Sequence, residues 1–194
     1  MRATIAGALV ALALVAPRAA RAQNDSSLAR RLPEDPAIRS GRLANGLTYV
    51  VLHNGYPAHR AELRLVVNAG SVLEDADQRG LAHVLEHMAF DGSTHFPKHA
   101  IWDYLERVGM QGGADINAIT SYDETVYRLT IPTDSAAIVE NGLRILGDWA
   151  HELTLDSAEL ERERKVVIEE WRLRLGAGAR ICDQQLPVLF AGSR

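Results

Sequence analysis

The segment R-G-L-A-H-V-L-E-H-M-A-F-D-G-S, residues 79–93, sets two histidines and a glutamate within five positions of an otherwise apolar run. Leu81, Val84, Leu85 and Met88 recur at helical spacing, and Asp91-Gly92 supplies a stop, so the segment predicts a short helix from about Gly80 to Ala89. Residues four apart on a helix lie one turn above each other. His83 and His87 therefore project from one face and can grip a single metal ion. Glu86 is offset by about 60° from His83 and about 100° from His87, within reach of a water at that ion. The order His-x-x-Glu-His is the inverzincin signature. Two histidines do not complete such a site, because catalytic zinc takes three protein ligands and an open position. A histidine on a buried face is more often a packing residue. Here ionisable groups flank a face that must be buried, and they need partners.

A helix from Asp156, its N-cap, to about Leu175 offers one. At about 100° per residue, Leu160, Val167, Ile168, Trp171 and Leu175 form its expected apolar stripe. Glu161, Arg162, Lys165, Glu169 and Arg172 fall on the far, wet side, and Glu159, Glu163 and Glu170 form a row at the stripe's edge. Spacing leaves these three equivalent as metal-facing carboxylates.

Outward from these helices the chain reads as α+β, with helices packed on a largely antiparallel sheet. R-L-A-N-G-L-T-Y-V-V-L-H-N (42–54) predicts a hairpin turning at Asn45-Gly46 in a type I′ turn, and 61–70 a strand with Leu63, Leu65 and Val67 on one face. A second helix is expected over about 98–108, a second hairpin turning at Tyr122-Asp123, and a long helix from Asp134-Ser135 to about Leu153. The G-A-G-A stretch (176–179) is expected to break the last helix, and Pro187–Phe190 to begin a further apolar element. No terminal helix or charged tail follows it, so the chain reads as truncated.

Residues 1–22 read as a signal peptide: a basic start, an apolar run over 4–16, and small residues at Ala20 and Ala22 for cleavage after Ala22. The run is shorter than the roughly 20 residues that span a bilayer, so no stable membrane anchor is expected. Its unbroken apolar centre also argues against an amphipathic organelle presequence. Residues 23–40 read as a linker, and 41–194 as the folded domain. A net charge of −4 excludes a phosphate-tracking nucleic-acid binder. The single cysteine, Cys182, allows no intrachain disulfide and is expected to be a small core residue.

On the motif H-V-L-E-H, on Glu163 seventy-five intervening residues later, and on Glu170 seven further on, the chain resembles the insulinase (pitrilysin) family of zinc peptidases. G-G-A-D-I-N-A-I-T-S-Y-D-E-T-V-Y-R-L-T-I-P-T-D (112–134) and N-G-L-T-Y-V-V-L-H-N (45–54) also resemble family segments, and similarity extends from about Asp35 to Arg194. The bacterial exported type is the nearest in kind, which implies a periplasmic or secreted protein. The resemblance implies a zinc ion held by His83, His87 and Glu163, with Glu86 as general base. It makes Glu170 a second acidic residue that assists without ligating. Asn117 and Ala118 match the position where an edge strand pairs with substrate main chain, which implies extended or unfolded peptides as substrates. Family members are built from two or four related domains, so the chain is expected to be an incomplete first domain. It would depend on further homologous domains or a partner subunit, and alone bind zinc yet cleave little. Asp91, where the family more often has asparagine, is expected only to cap or turn. Two other readings compete: a non-catalytic partner subunit, against which the intact set His83, Glu86, His87 and Glu163 stands, and a four-ligand structural zinc site, in which Glu86 has no purpose.

Overall fold

The computed structural model describes residues 33–192, which fall into two compact units divided after His53. The signal peptide and most of the predicted linker lie outside the described residues. In the first unit β1 (Ile38–Arg42) pairs antiparallel with β2 (Thr48–Leu52), from Ile38 opposite Leu52 to Arg42 opposite Thr48. Pairing thus starts at Ile38, inside the stretch read as linker. The turn also differs from the type I′ expected. Gly46 N–H donates to Leu43 O at 2.9 Å and Leu43 N–H to Leu47 O at 2.8 Å, closing a five-residue connection. Type I′ needs positive φ at both central residues. Only Gly46 adopts it, at +93°, while the Asn45 side chain accepts from Leu47 N–H at 3.1 Å.

The second unit contains β3 (Arg60–Val67), a 3₁₀ turn (Ser71–Leu73), α1 (Leu81–Met88), α2 (Ala100–Arg107), β4 (Ile116–Thr120) and β5 (Thr125–Pro132). It continues with α3 (Ala136–His151), α4 (Ser157–Leu173) and α5 (Ala177–Leu189). The sheet is antiparallel in the order β3-β5-β4, with Leu129 of the central strand opposite both Leu63 and Ile116. Alternation along β5 turns Thr125, Tyr127, Leu129 and Ile131 inward. Helix α3 packs on β3 and β5, meeting them through Ile145 and Trp149. Gly142 sets the approach: a Cβ there would stand 2.7 Å from Ile131 Cδ1. This is the α+β, largely antiparallel fold that the sequence predicts. Among the described residues no helix is long and apolar enough to cross a membrane.

Three expectations fail in the last third. First, the apolar stripe of α4 is not its covered face: Trp171 is 61% exposed and Leu160 and Ile168 are also exposed, while Glu159, Glu163, Val167 and Glu170 are the half-covered residues. The helix packs on α1 by its carboxylate row because α1 presents imidazoles there. Second, although the helix does break before G-A-G-A, with α4 ending at Leu173 and Gly176 capping α5, Pro187 lies inside α5 rather than opening a new element. Third, Cys182 is exposed rather than packed in a core.

Leu129 is fully buried at the centre of the sheet, whereas Ile119 on the neighbouring strand is 65% exposed. Leu129→Ala is expected to lower unfolding stability by about 2–5 kcal/mol and Ile119→Ala by about 0.5 kcal/mol or less, read from urea midpoints at constant m-value.

Candidate metal centre

Helix α1 has eight residues and no capping side chain of its own at Gly80. Glu74, from the turn before it, supplies the cap: its carboxylate accepts from the N–H groups of Gly80 and Ala82, both at 2.8 Å. The far end is tied to α3. Trp149 Nε1 donates to Ala89 O at 2.9 Å, and buried Asp148 accepts from Ser93 Oγ at 2.5 Å and from the His95 main-chain N–H at 3.1 Å. Met88 is fully buried and Val84 nearly so, which fixes the rotation of the helix. That rotation turns His83 and His87 toward α4, their ring centroids 4.9 Å apart and nearly perpendicular.

Across from them, Glu170 lies 3.4 Å from His83 Nε2 and 3.7 Å from His87 Nε2. One donor atom from each of His83, His87 and Glu170 falls within 4.8 Å of the other two. Glu163, about two turns earlier in the acidic row, contacts the opposite nitrogen, His87 Nδ1, at 2.9 Å. An ionised carboxylate only accepts, so this contact places the ring hydrogen on Nδ1 and leaves the Nε2 lone pair facing His83 and Glu170. The structure thus gathers Glu170, rather than the expected Glu163, with the two imidazoles. Two imidazole nitrogens and one carboxylate oxygen form a donor set that suits zinc and leaves room for water.

Glu86 points elsewhere. It is 8% exposed, and its Oε2 accepts from Thr120 Oγ1 of β4 at 2.5 Å. Burial pushes the nearby Tyr127 phenol up to about 12, and the negative charge of Glu86 adds to the rise. Asn117 and Ala118 border the same cleft, about 460 Å³, beside His83, Glu86 and Glu170. β4 is an edge strand of this sheet. Asn117 is exposed and its Oδ1 accepts from Ala118 N–H at 2.9 Å, while Ala118 shares the inward face with Ile116 and Thr120.

Asp91 does more than cap or turn. Its Oδ1 accepts from Arg162 at 2.8 Å, and Arg162 also reaches Glu163 at 3.3 Å and pairs with Glu159. Burial, then the charge of Glu163, holds the Asp91 carboxyl above the usual range despite the opposing pull of Arg162. Sequence reasoning missed this cluster, because Arg162 lies on the wet side of α4 and reaches back only through its length. It also missed Thr120, although the period-two alternation of β4 puts Thr120 on the same face as Ala118.

Residues 49–175 match the insulinase family, peptidase family M16. A probable zinc protease PqqL of Haemophilus influenzae is 44% identical over 163 residues, covering 84% of this chain and 18% of that protein. A PQQL-like zinc protease of Arabidopsis thaliana is 41% identical, covering 79% of this chain and 16% of that protein. Among solved structures, the first half of the periplasmic protease PqqL from Escherichia coli superposes with a TM-score of 0.78 at 35% identity, covering 82% of this chain and 34% of that one. The chain therefore spans less than a fifth of the length of these curated relatives.

The geometry separates the two glutamates experimentally. In competition with a chromogenic chelator, Glu170→Gln is expected to abolish tight zinc binding, as His83→Ala does. Glu163→Gln is expected to weaken it only by about 10- to 100-fold, the effect of removing a ligand's outer partner.

Proposed function

The chain belongs to the insulinase family of peptidases, and on that premise we propose that the cleft between α1 and α4 holds zinc and hydrolyses peptide bonds in extended or unfolded polypeptides. The observation that carries this reading is the division of labour among four acidic and basic groups. His83, His87 and Glu170 converge, whereas Glu86, one residue from a histidine, is bonded to Thr120 and stands outside the converging set.

In this reading His83, His87 and Glu170 hold the ion, and Glu163 orients His87 through Nδ1. Bound zinc supplies Lewis acidity toward the scissile carbonyl and a readily ionised water. The protein's own part is proton handling and orientation. Glu86 takes the proton of the attacking water and delivers it to the leaving amine, which requires a carboxylate beside the ligands but not among them. The edge of β4 at Asn117 and Ala118 receives substrate as an added strand. Strand addition reads main chain more than side chains, so it selects peptides that are already extended. For an incoming strand to use Ala118 N–H, the Asn117 side chain must release it.

A setting outside the cytoplasm is part of this proposal, supported by the signal-like residues 1–22 and by the periplasmic setting stated for the Escherichia coli relative. Given the short share of its relatives that the chain spans, the substrate's remaining contacts come from further homologous domains or a partner subunit. Nucleic acid is no part of this reading.

The decisive variant is Glu86→Gln. It is expected to keep zinc at wild-type stoichiometry while cleavage of an unstructured peptide falls by about 10²- to 10⁴-fold. Both readouts are taken on the chain and on any longer product of its reading frame, with a chelator control. Loss of zinc in this variant, or undiminished cleavage, counts against the base assignment.

A further inference from the structure

The carboxylate assigned as general base is held by one hydrogen bond, and it is the nearest acceptor to its donor. Thr120 Oγ1 lies 2.5 Å from Glu86 Oε2, and no second hydrogen bond to this carboxylate is present among the described residues. Thr120 faces Thr125 directly across the β4–β5 hairpin, the two hydroxyl oxygens 3.3 Å apart. Thr125 is 5% exposed and commits its own hydrogen to Ala69 O at 2.9 Å. A hydroxyl carries one donor hydrogen. Thr125, its hydrogen spent on Ala69, can only accept, and of the two acceptors open to Thr120 the Glu86 carboxylate at 2.5 Å is the closer and the stronger, so the Thr120 hydrogen goes to Glu86.

We infer that Thr120 is a positioning residue: its hydroxyl, set in place by the hairpin, fixes the Glu86 carboxylate with Oε2 engaged and Oε1 free toward the cleft. A glutamate has three side-chain torsions, the last of them broad and two-fold, so burial alone does not select one orientation of the oxygens. Strand β4 resists this freedom in two ways. Its backbone register with β5 sets the height of Oγ1, and the β-branched threonine restricts χ1. The same strand offers Asn117 and Ala118 at its edge, so the element proposed to receive substrate also aims the base. This inference rests on the peptidase reading for its kinetic consequence, but its structural content stands on the hydroxyl and the carboxylate alone.

The test compares Thr120→Val, which keeps shape and removes the hydroxyl, with Thr120→Ser, which keeps the hydroxyl. The side-chain carboxyl resonance of Glu86, labelled with ¹³C and assigned by its loss in Glu86→Gln, reports orientation with and without zinc. In Thr120→Val it is expected to shift and broaden, and in Thr120→Ser to stay near its wild-type position. In kinetics, kcat of Thr120→Val is expected to fall about 10- to 100-fold, the scale of a misplaced catalytic group. KM and zinc affinity should stay within about twofold in the same variant, and Thr120→Ser should recover most of kcat. A Thr120→Val protein with wild-type carboxyl resonance, or with undiminished kcat, overturns the inference. Equal loss in the serine and valine variants overturns it too, because keeping the hydroxyl would then preserve nothing. If Thr120→Val does not fold, Thr120→Ala takes its place. If the wild-type product of the full reading frame cuts no peptide, the peptidase reading falls, and the carboxyl resonance still decides the positioning role.

Discussion

The structure depends on holding an eight-residue helix rigid. A helix as short as α1 is not stable by itself in water, since nucleation costs more than so few internal hydrogen bonds return. Its order is imposed from outside at both ends and on one side. Glu74 satisfies the first N–H groups, and Trp149 takes the Ala89 carbonyl. Asp148 anchors the turn at Ser93 and His95, and Met88 is locked in the core. Because these restraints fix the rotation of α1 about its own axis, they also decide where His83 and His87 point.

The opposing wall follows from that rotation. Helix α4 meets α1 through Glu163 and Glu170 rather than through its leucines, isoleucine and tryptophan. A carboxylate row packed at a helix interface costs desolvation unless each member finds a donor. Glu163 has His87 and Arg162; Glu170 stands near both Nε2 atoms; Arg162 carries Asp91 and Glu159 besides. A cation at the converging donors would complete the compensation that the imidazoles begin. A metal ion bound there would therefore couple to the stability of the α1–α4 contact, as expected where ligands come from separate elements.

The hairpin of β4 and β5 joins core to chemistry. Along β4 the inward residues change role in order: Ile116 is buried in the core, Ala118 borders the cleft, and Thr120 reaches Glu86. Two-residue periodicity makes this possible, since one strand face passes continuously from the packed interior to the open site. Across the hairpin, Tyr127 and Leu129 keep β5 in place beneath it.

Much of this was legible in the sequence for a physical reason: patterns set by local geometry repeat at fixed spacing. Helical periodicity around Leu81, Val84 and Met88 marked α1, the four-residue interval paired His83 with His87, and Asp156 announced α4 by a cap that accepts from Ala158 and Glu159. Alternation along β3 sorted Leu63 and Leu65 from Glu62 and Arg64. The type of turn at Asn45-Gly46 was not legible, because the dipeptide permits more than one path and the flanking register chose between them. Nor was the packed face of α4. A helical wheel ranks faces by hydrophobicity, yet which face is covered depends on what stands opposite, and opposite α4 stand imidazoles. The choice between Glu163 and Glu170 had the same origin: equal on the wheel, they differ only in whether they meet Nδ1 or Nε2 of His87. The sequence by itself determined which elements form and where along them the candidate histidines and carboxylates sit. Their partners across elements, Thr120 on Glu86, Glu163 on His87 and Asp91 on Arg162, were decided only when the tertiary fold brought side chains distant along the chain within hydrogen-bond range.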